Sequence, residues 1–185
     1  MASLPNSRTV TYEEWLRLPE VSDAVEEVVD GEIRIMPPPK LRHALIVHRL
    51  STALNSQFNP FEVLVLSSSF GLIIRRSPLT TRVPDLAVFQ ADTIVEQDGY
   101  IHSAPQLVVE VLSPANNRRE REEKLADYAS LGVPEAWVVS PEGLTVEVLH
   151  LKEDQLRTTD VLKAGLLKPV HFPGVQIDIA RIWPD

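Results

Sequence analysis

The chain has 185 residues, 15 prolines, seven glycines, no cysteine and a formal net charge of -8. Without a thiol, disulfides, thiolate zinc sites and cysteine nucleophiles are excluded, and the acidic balance argues against a generic nucleic-acid coat, whose counterion-release binding needs a dominant basic surface. The length predicts one domain, 1–185, with its core over about 25–140, and the lack of an apolar h-region in "MASLPNSRTV" or of any run near the roughly 18 apolar residues of a membrane helix predicts a soluble, cytoplasmic protein with no membrane partner.

Residues 11–18, "TYEEWLRL", predict a short helix capped by Thr11, with Glu14 at capping-box spacing. "EEVVDGEIRIM" alternates around Asp30-Gly31, a two-residue hairpin signal, and ends at Pro37-Pro38-Pro39. From Leu41 to about Phe58, Leu45, Ile46, Leu50, Ala53 and Leu54 recur at helical spacing. Four β-rich runs follow, "FEVLVLSS", "FGLIIRR", "RVPDLAVF" and "PQLVVEVLS"; the last two are apolar at nearly every position, as in strands covered on both faces.

Asn116 or Asn117 caps a predicted helix through about Leu131, stopped by Gly132 with Pro134 beyond. "EAWVVS" reads as a buried strand, "LTVEVLHL" and "QLRTTDVL" as an antiparallel pair, and "VHFPGVQIDIARIW" closes the chain. The order suits an α/β (α+β) fold, one mixed sheet with helices on its faces. The apolar hairpin after Glu135 fits either a homodimer interface or completion of the core.

Two acids stand inside the apolar strands. Period-two geometry sets Glu110 between Val108 and Leu112, and Asp85 in a row with Val83, Ala87 and Phe89. Each acid could have its own cation partner, be a protonated or capped structural group, or share a divalent metal that removes the repulsion between them. On the following helix Leu125, Tyr128, Ala129 and Leu131 form the apolar stripe, and Lys124 lies on its edge, able either to reach the sheet or to snorkel or pair with Glu120. Basic residues gather at Lys40, Arg42, His43, His48 and Arg49; at Arg75, Arg76 and Arg82; and at Arg118, Arg119 and Arg121. His43 and His48 do not chelate together, since five residues turn the rings about 140° apart. No P-loop, dinucleotide fingerprint or nucleophile elbow is present.

Glu27 before "VVDGEI", "MPPP" followed by His43, "RVPDLAVF", "PQLVVEVLSP" and "REEKLADYASLGVPEAWVV" together resemble the Uma-two family, a restriction-endonuclease-like branch of the PD-(D/E)XK nuclease superfamily. The resemblance implies a restriction-endonuclease-like core, a mixed central β-sheet flanked by helices, with the antiparallel pair added as a C-terminal β-hairpin. It implies a Mg²⁺-dependent (or Mn²⁺-dependent) endonuclease acting on nucleic acid, DNA, with Asp85, Glu110 and the backbone carbonyl of Val111 as metal ligands. The superfamily's strand lysine is absent, Leu112 standing in its place, and Lys124 resembles a lysine migrated to the helix. Glu27 matches a recurrent acid, either a further metal ligand or the partner of an arginine such as Arg82; His43 and Tyr128 are accessory candidates. The rival expectation is an inactive nuclease fold used for binding or assembly, with the acids kept as a structural network.

Overall fold

The protein is described by a computed structural model, which covers residues 9–19, 24–67, 70–113 and 118–184. Thr11 caps α1 (Tyr12–Trp15) through a complete capping box with Glu14. β1 (Val25–Val29) and β2 (Glu32–Met36) form the expected hairpin. Its turn needs positive φ at both central residues, and Asp30 (φ 51°) and Gly31 (φ 82°) supply it.

α2 (Leu41–Asn55) buries Ile46, Val47, Leu50 and Leu54 and stops three residues short of the expected Phe58. Its last turn is closed by Asn55, whose side chain donates to the Ser51 carbonyl. Next come β3 (Val63–Leu66), β4 (Leu72–Arg76), β5 (Leu79–Arg82), β6 (Leu86–Gln90), the two-residue β7 (Glu96–Gln97) and β8 (Tyr100–Ile101), and β9 (Leu107–Val111). β5, "LTTR", carries a single apolar residue and gives no strand signal. It forms because buried Thr80 and Thr81 accept from the Asp30 and Val28 amides, docking it on the hairpin. This contact sets Arg82 beside Glu27.

Gly132 (φ 92°) ends α3 (Arg118–Leu131), and Val133 N–H bonds back to the Tyr128 carbonyl. The expected caps Asn116 and Asn117 lie outside the described residues. β10 (Glu135–Ser140), β11 (Thr145–Lys152), β12 (Gln155–Leu162), β13 (Leu166–Leu167) and β14 (Ile177–Asp178) complete the chain.

The central sheet has the order β12-β11-β10-β9-β6-β3. β9 runs parallel to β10 and antiparallel to β6, so the sheet is mixed, with β11 and β12 as the C-terminal hairpin. One face packs Leu86, Val88, Leu107, Val109, Trp137 and Val139 against α2 and the chain's end. The other packs Ala87, Phe89, Val108, Ala136 and Val138 against Tyr128 of α3. A fully buried side chain of this size contributes about 1.5–3 kcal/mol, so these two faces carry the fold. The fold class is the expected one, but the single-sheet picture is corrected. β4 leaves the central sheet for a second one, β5-β4-β8-β7, because β3 pairs directly with β6. Among the described residues no helix is long and apolar enough to cross a membrane.

Candidate active site

The β6–β9 ladder stops at the pair Leu86–Val109. Asp85 therefore stands one residue before β6, not inside it as its place in "RVPDLAVF" suggests, and its Oδ2 accepts the Val111 N–H at 2.7 Å. The side chain takes over an amide that a longer ladder would have paired with backbone. His43, in the first turn of α2, donates from Nε2 to Asp85 Oδ1 at 2.9 Å.

Glu110 shares the α3 face of the sheet with Val108. Tyr128 donates its hydroxyl to Glu110 Oε1, and Lys124 Nζ lies 3.2 Å from Oε2. The two residues are four apart, so one helix face delivers both. Lys124 does not snorkel but reaches the sheet: the same ammonium is 3.2 Å from Glu27 Oε1. Glu27, buried in β1, also takes the Val83 N–H at 3.1 Å and Arg82 Nη1 at 2.8 Å. Buried Arg82 reaches on to Asp127 of α3, with Nε 2.8 Å from Oδ2. Thus Asp85, Glu110, Val111, Lys124, Glu27, His43 and Tyr128 form one continuous cluster at the end of β9. Asp127 was missed by sequence reasoning. Its signal was its position three after Lys124, on the same face of α3.

Burial raises the Glu110 carboxyl to about 7, with Asp85 and Glu27 adding to the push and Lys124 and Tyr128 opposing it. For Lys124 burial opposes the charge, but Glu110, Glu27 and Asp85 outweigh it and keep the ammonium charged well above its ordinary range. His43 is raised as well: burial pulls it down, and the bond and charge of Asp85, with Glu110 behind, overcome that. Tyr128 is raised far above the usual phenol range by burial and then by Glu110, so it is a fixed donor.

Among the described residues no three His, Asp or Glu side chains converge closely enough to form a cation cage. The donor set does fit a hard ion that keeps its own waters. Mg²⁺ is characteristically held by one or two carboxylates, and each carboxylate has about four acceptor positions. The repulsion that helps to push Glu110 upward is what a cation between it and Asp85 would relieve.

The basic runs are largely paired within the protein. Arg118 and Arg119 reach Glu122 and Glu123, Arg42 donates to the Pro141 carbonyl, Arg75 contacts Asp30 and Asp127, and Arg76 lies over the Tyr12 ring at 4.4 Å. His48 is exposed on α2 and does not join the cluster.

Residues 12–180 match the model of the Uma2 family, described as "Putative restriction endonuclease". Among solved structures, the chain is similar to a putative nuclease belonging to DUF820 from Anabaena variabilis. The two share 23% identity, with 94% of this chain and 97% of that one covered and a TM-score of 0.76. At that identity the likeness shows the fold. No curated protein matches the sequence.

Proposed function

Because the chain belongs to the Uma2 family, we propose that it is a Mg²⁺- or Mn²⁺-dependent endonuclease that hydrolyses phosphodiester bonds of DNA. The observation that carries this reading is the meeting of Asp85, Glu110 and Lys124 where the β6–β9 ladder ends. Asp85, Glu110 and the Val111 carbonyl would hold the ion. An antiparallel strand directs a residue's N–H and carbonyl to the same neighbour, so that carbonyl belongs to the edge Asp85 occupies. When bound, the ion supplies Lewis-acid polarisation of the phosphate and a water of lowered pKa.

The side chains supply the rest. Lys124, held charged, orients the attacking water or stabilises charge developing on the phosphate. Tyr128 fixes the rotamer of Glu110 by donating to one oxygen, leaving the other toward Lys124. Glu27, itself held by Arg82, steadies the ammonium from the far side. His43 fixes the orientation of Asp85.

A second reading, a binding or assembly module on an inactive nuclease fold, is favoured by how many oxygens of Glu110, Asp85 and Glu27 already have protein donors. Thermal melting separates the two. Millimolar Mg²⁺ or Mn²⁺ stabilises an active site by mass action, and the shift disappears in Asp85→Asn and Glu110→Gln. Plasmid DNA is then incubated with wild type and these variants. No cleavage by wild type in either metal, together with no thermal shift, overturns the nuclease reading.

A further inference from the structure

Glu110, Val138 and Glu147 lie in a row across three neighbouring strands, Val138 being opposite Glu110 in β9 and opposite Glu147 in β11. Residues in such a row share a sheet face, and two strand spacings separate its ends by about 10 Å. α3 covers the row, and each acid takes one of its cations: Lys124 meets Glu110, and Arg121 Nη2 meets Glu147. Arg121 and Lys124 are three apart on one helix face. They line, with Glu110 and Val111, a cavity of about 20 Å³, room for about one water.

Arg121 differs from its basic neighbours. Arg118 and Arg119 are 92% and 89% exposed and pair along their own helix, an arrangement that contributes little. Arg121 is 27% exposed, stands in the cavity wall and is held by a carboxylate from another element. Guanidinium forks take carboxylate and phosphate by the same planar geometry. Glu147 is 24% exposed and also accepts from Thr158 Oγ1 at 3.4 Å, so it keeps a donor and access to water when it gives up Arg121.

We propose that Arg121 binds a backbone phosphate of the nucleic-acid substrate next to the metal-binding acids, and that Glu147 occupies its guanidinium until that phosphate displaces it. This inference rests on the nuclease reading of the adjoining site. It makes Glu147 a competitor of substrate, so removing either member of the pair has opposite effects. A merely structural ion pair gives effects of the same sign.

The test is equilibrium binding of a fluorescent DNA duplex in EDTA, over a salt series, with wild type, Arg121→Gln, Arg121→Lys and Glu147→Gln, each checked for cooperative melting. Arg121→Gln is expected to weaken binding about five- to tenfold at low salt and to lower the slope of log K against log salt by about 0.9, the loss of one phosphate contact. Arg121→Lys restores the slope. Glu147→Gln strengthens binding about two- to fivefold at unchanged slope, and cleavage with Mg²⁺ shows the same split in KM at constant kcat. Misfolding cannot produce the gain in Glu147→Gln. If both changes weaken binding, or neither alters affinity or slope while wild type still cleaves, this inference is overturned and the nuclease reading stands. If wild type neither binds nor cleaves DNA, both fall.

Discussion

Lys124 Nζ lies 3.2 Å from Glu27 Oε1 and 3.2 Å from Glu110 Oε2, so one ammonium ties the amino-terminal hairpin to the central sheet. Glu27 also has Arg82 and a backbone amide, which makes it an anchor for the lysine. Glu27→Gln is expected to lower kcat about tenfold at unchanged KM and unchanged Mn²⁺ affinity, whereas Lys124→Met lowers kcat about 10²- to 10³-fold. Mn²⁺ titration by calorimetry beside steady-state cleavage checks this. Lost Mn²⁺ binding in Glu27→Gln would make Glu27 a ligand instead.

Glu110 gives a pH dependence of definite sign. Its folded-state value, about 7, lies above the ordinary carboxyl value of 4.5, so the folded protein binds the proton more tightly than the unfolded chain. Its contribution therefore turns against folding as pH rises from 4.5 to 7 and is constant above. Glu110→Gln, which keeps an acceptor for Tyr128, is expected to be more stable than wild type by about 1–3 kcal/mol at pH 8 in EDTA. The difference vanishes near pH 4. Urea melts at both pH values measure it, and a variant less stable at pH 8 refutes the account.

Arg82 sits between Glu27 and Asp127 with about 1% of its side chain exposed. Arg82→Met leaves two buried carboxylates without their main cation and is expected to cost about 3–5 kcal/mol. Exposed Arg118 serves as the control, and Arg118→Ala is expected to leave the denaturation midpoint unchanged.

The hairpin that carries Glu27 depends on Gly31. A Cβ there would lie 2.7 Å from Thr9 Cβ, and φ is 82°. Gly31→Ala is expected to cost about 1–2 kcal/mol, lowering Tm by about 2–8 °C. Calorimetry reads this directly.

The elements with strong periodicity or turn chemistry were legible in the sequence: Thr11 and Glu14, Asp30-Gly31, the apolar face of α2, and the two strands buried on both sides. The fate of Lys124 is open in the sequence, because a lysine on the edge of an apolar stripe looks the same whether its head meets water or acids. β5 was illegible, since Thr80 and Thr81 are buried through hydrogen bonds to a distant hairpin and not through hydrophobicity. Parity, a local rule, puts Asp85 inside a strand. Its observed position follows from where two non-adjacent strands stop pairing.

On the proposed function, that stopping point sets a conflict between robustness and chemistry. Beyond Leu86 and Val109 the two strands forgo further rungs, and the Asp85 carboxylate fills in for one of them. A substitution that let the backbone zip onward would tighten the sheet while taking the Val111 edge away from the proposed ion. Selection for heat resistance alone would drift toward closing this fork, so a stabilised variant of this protein has to be screened for what happens at residues 84–85 and 110–111 before its melting temperature is taken as an improvement.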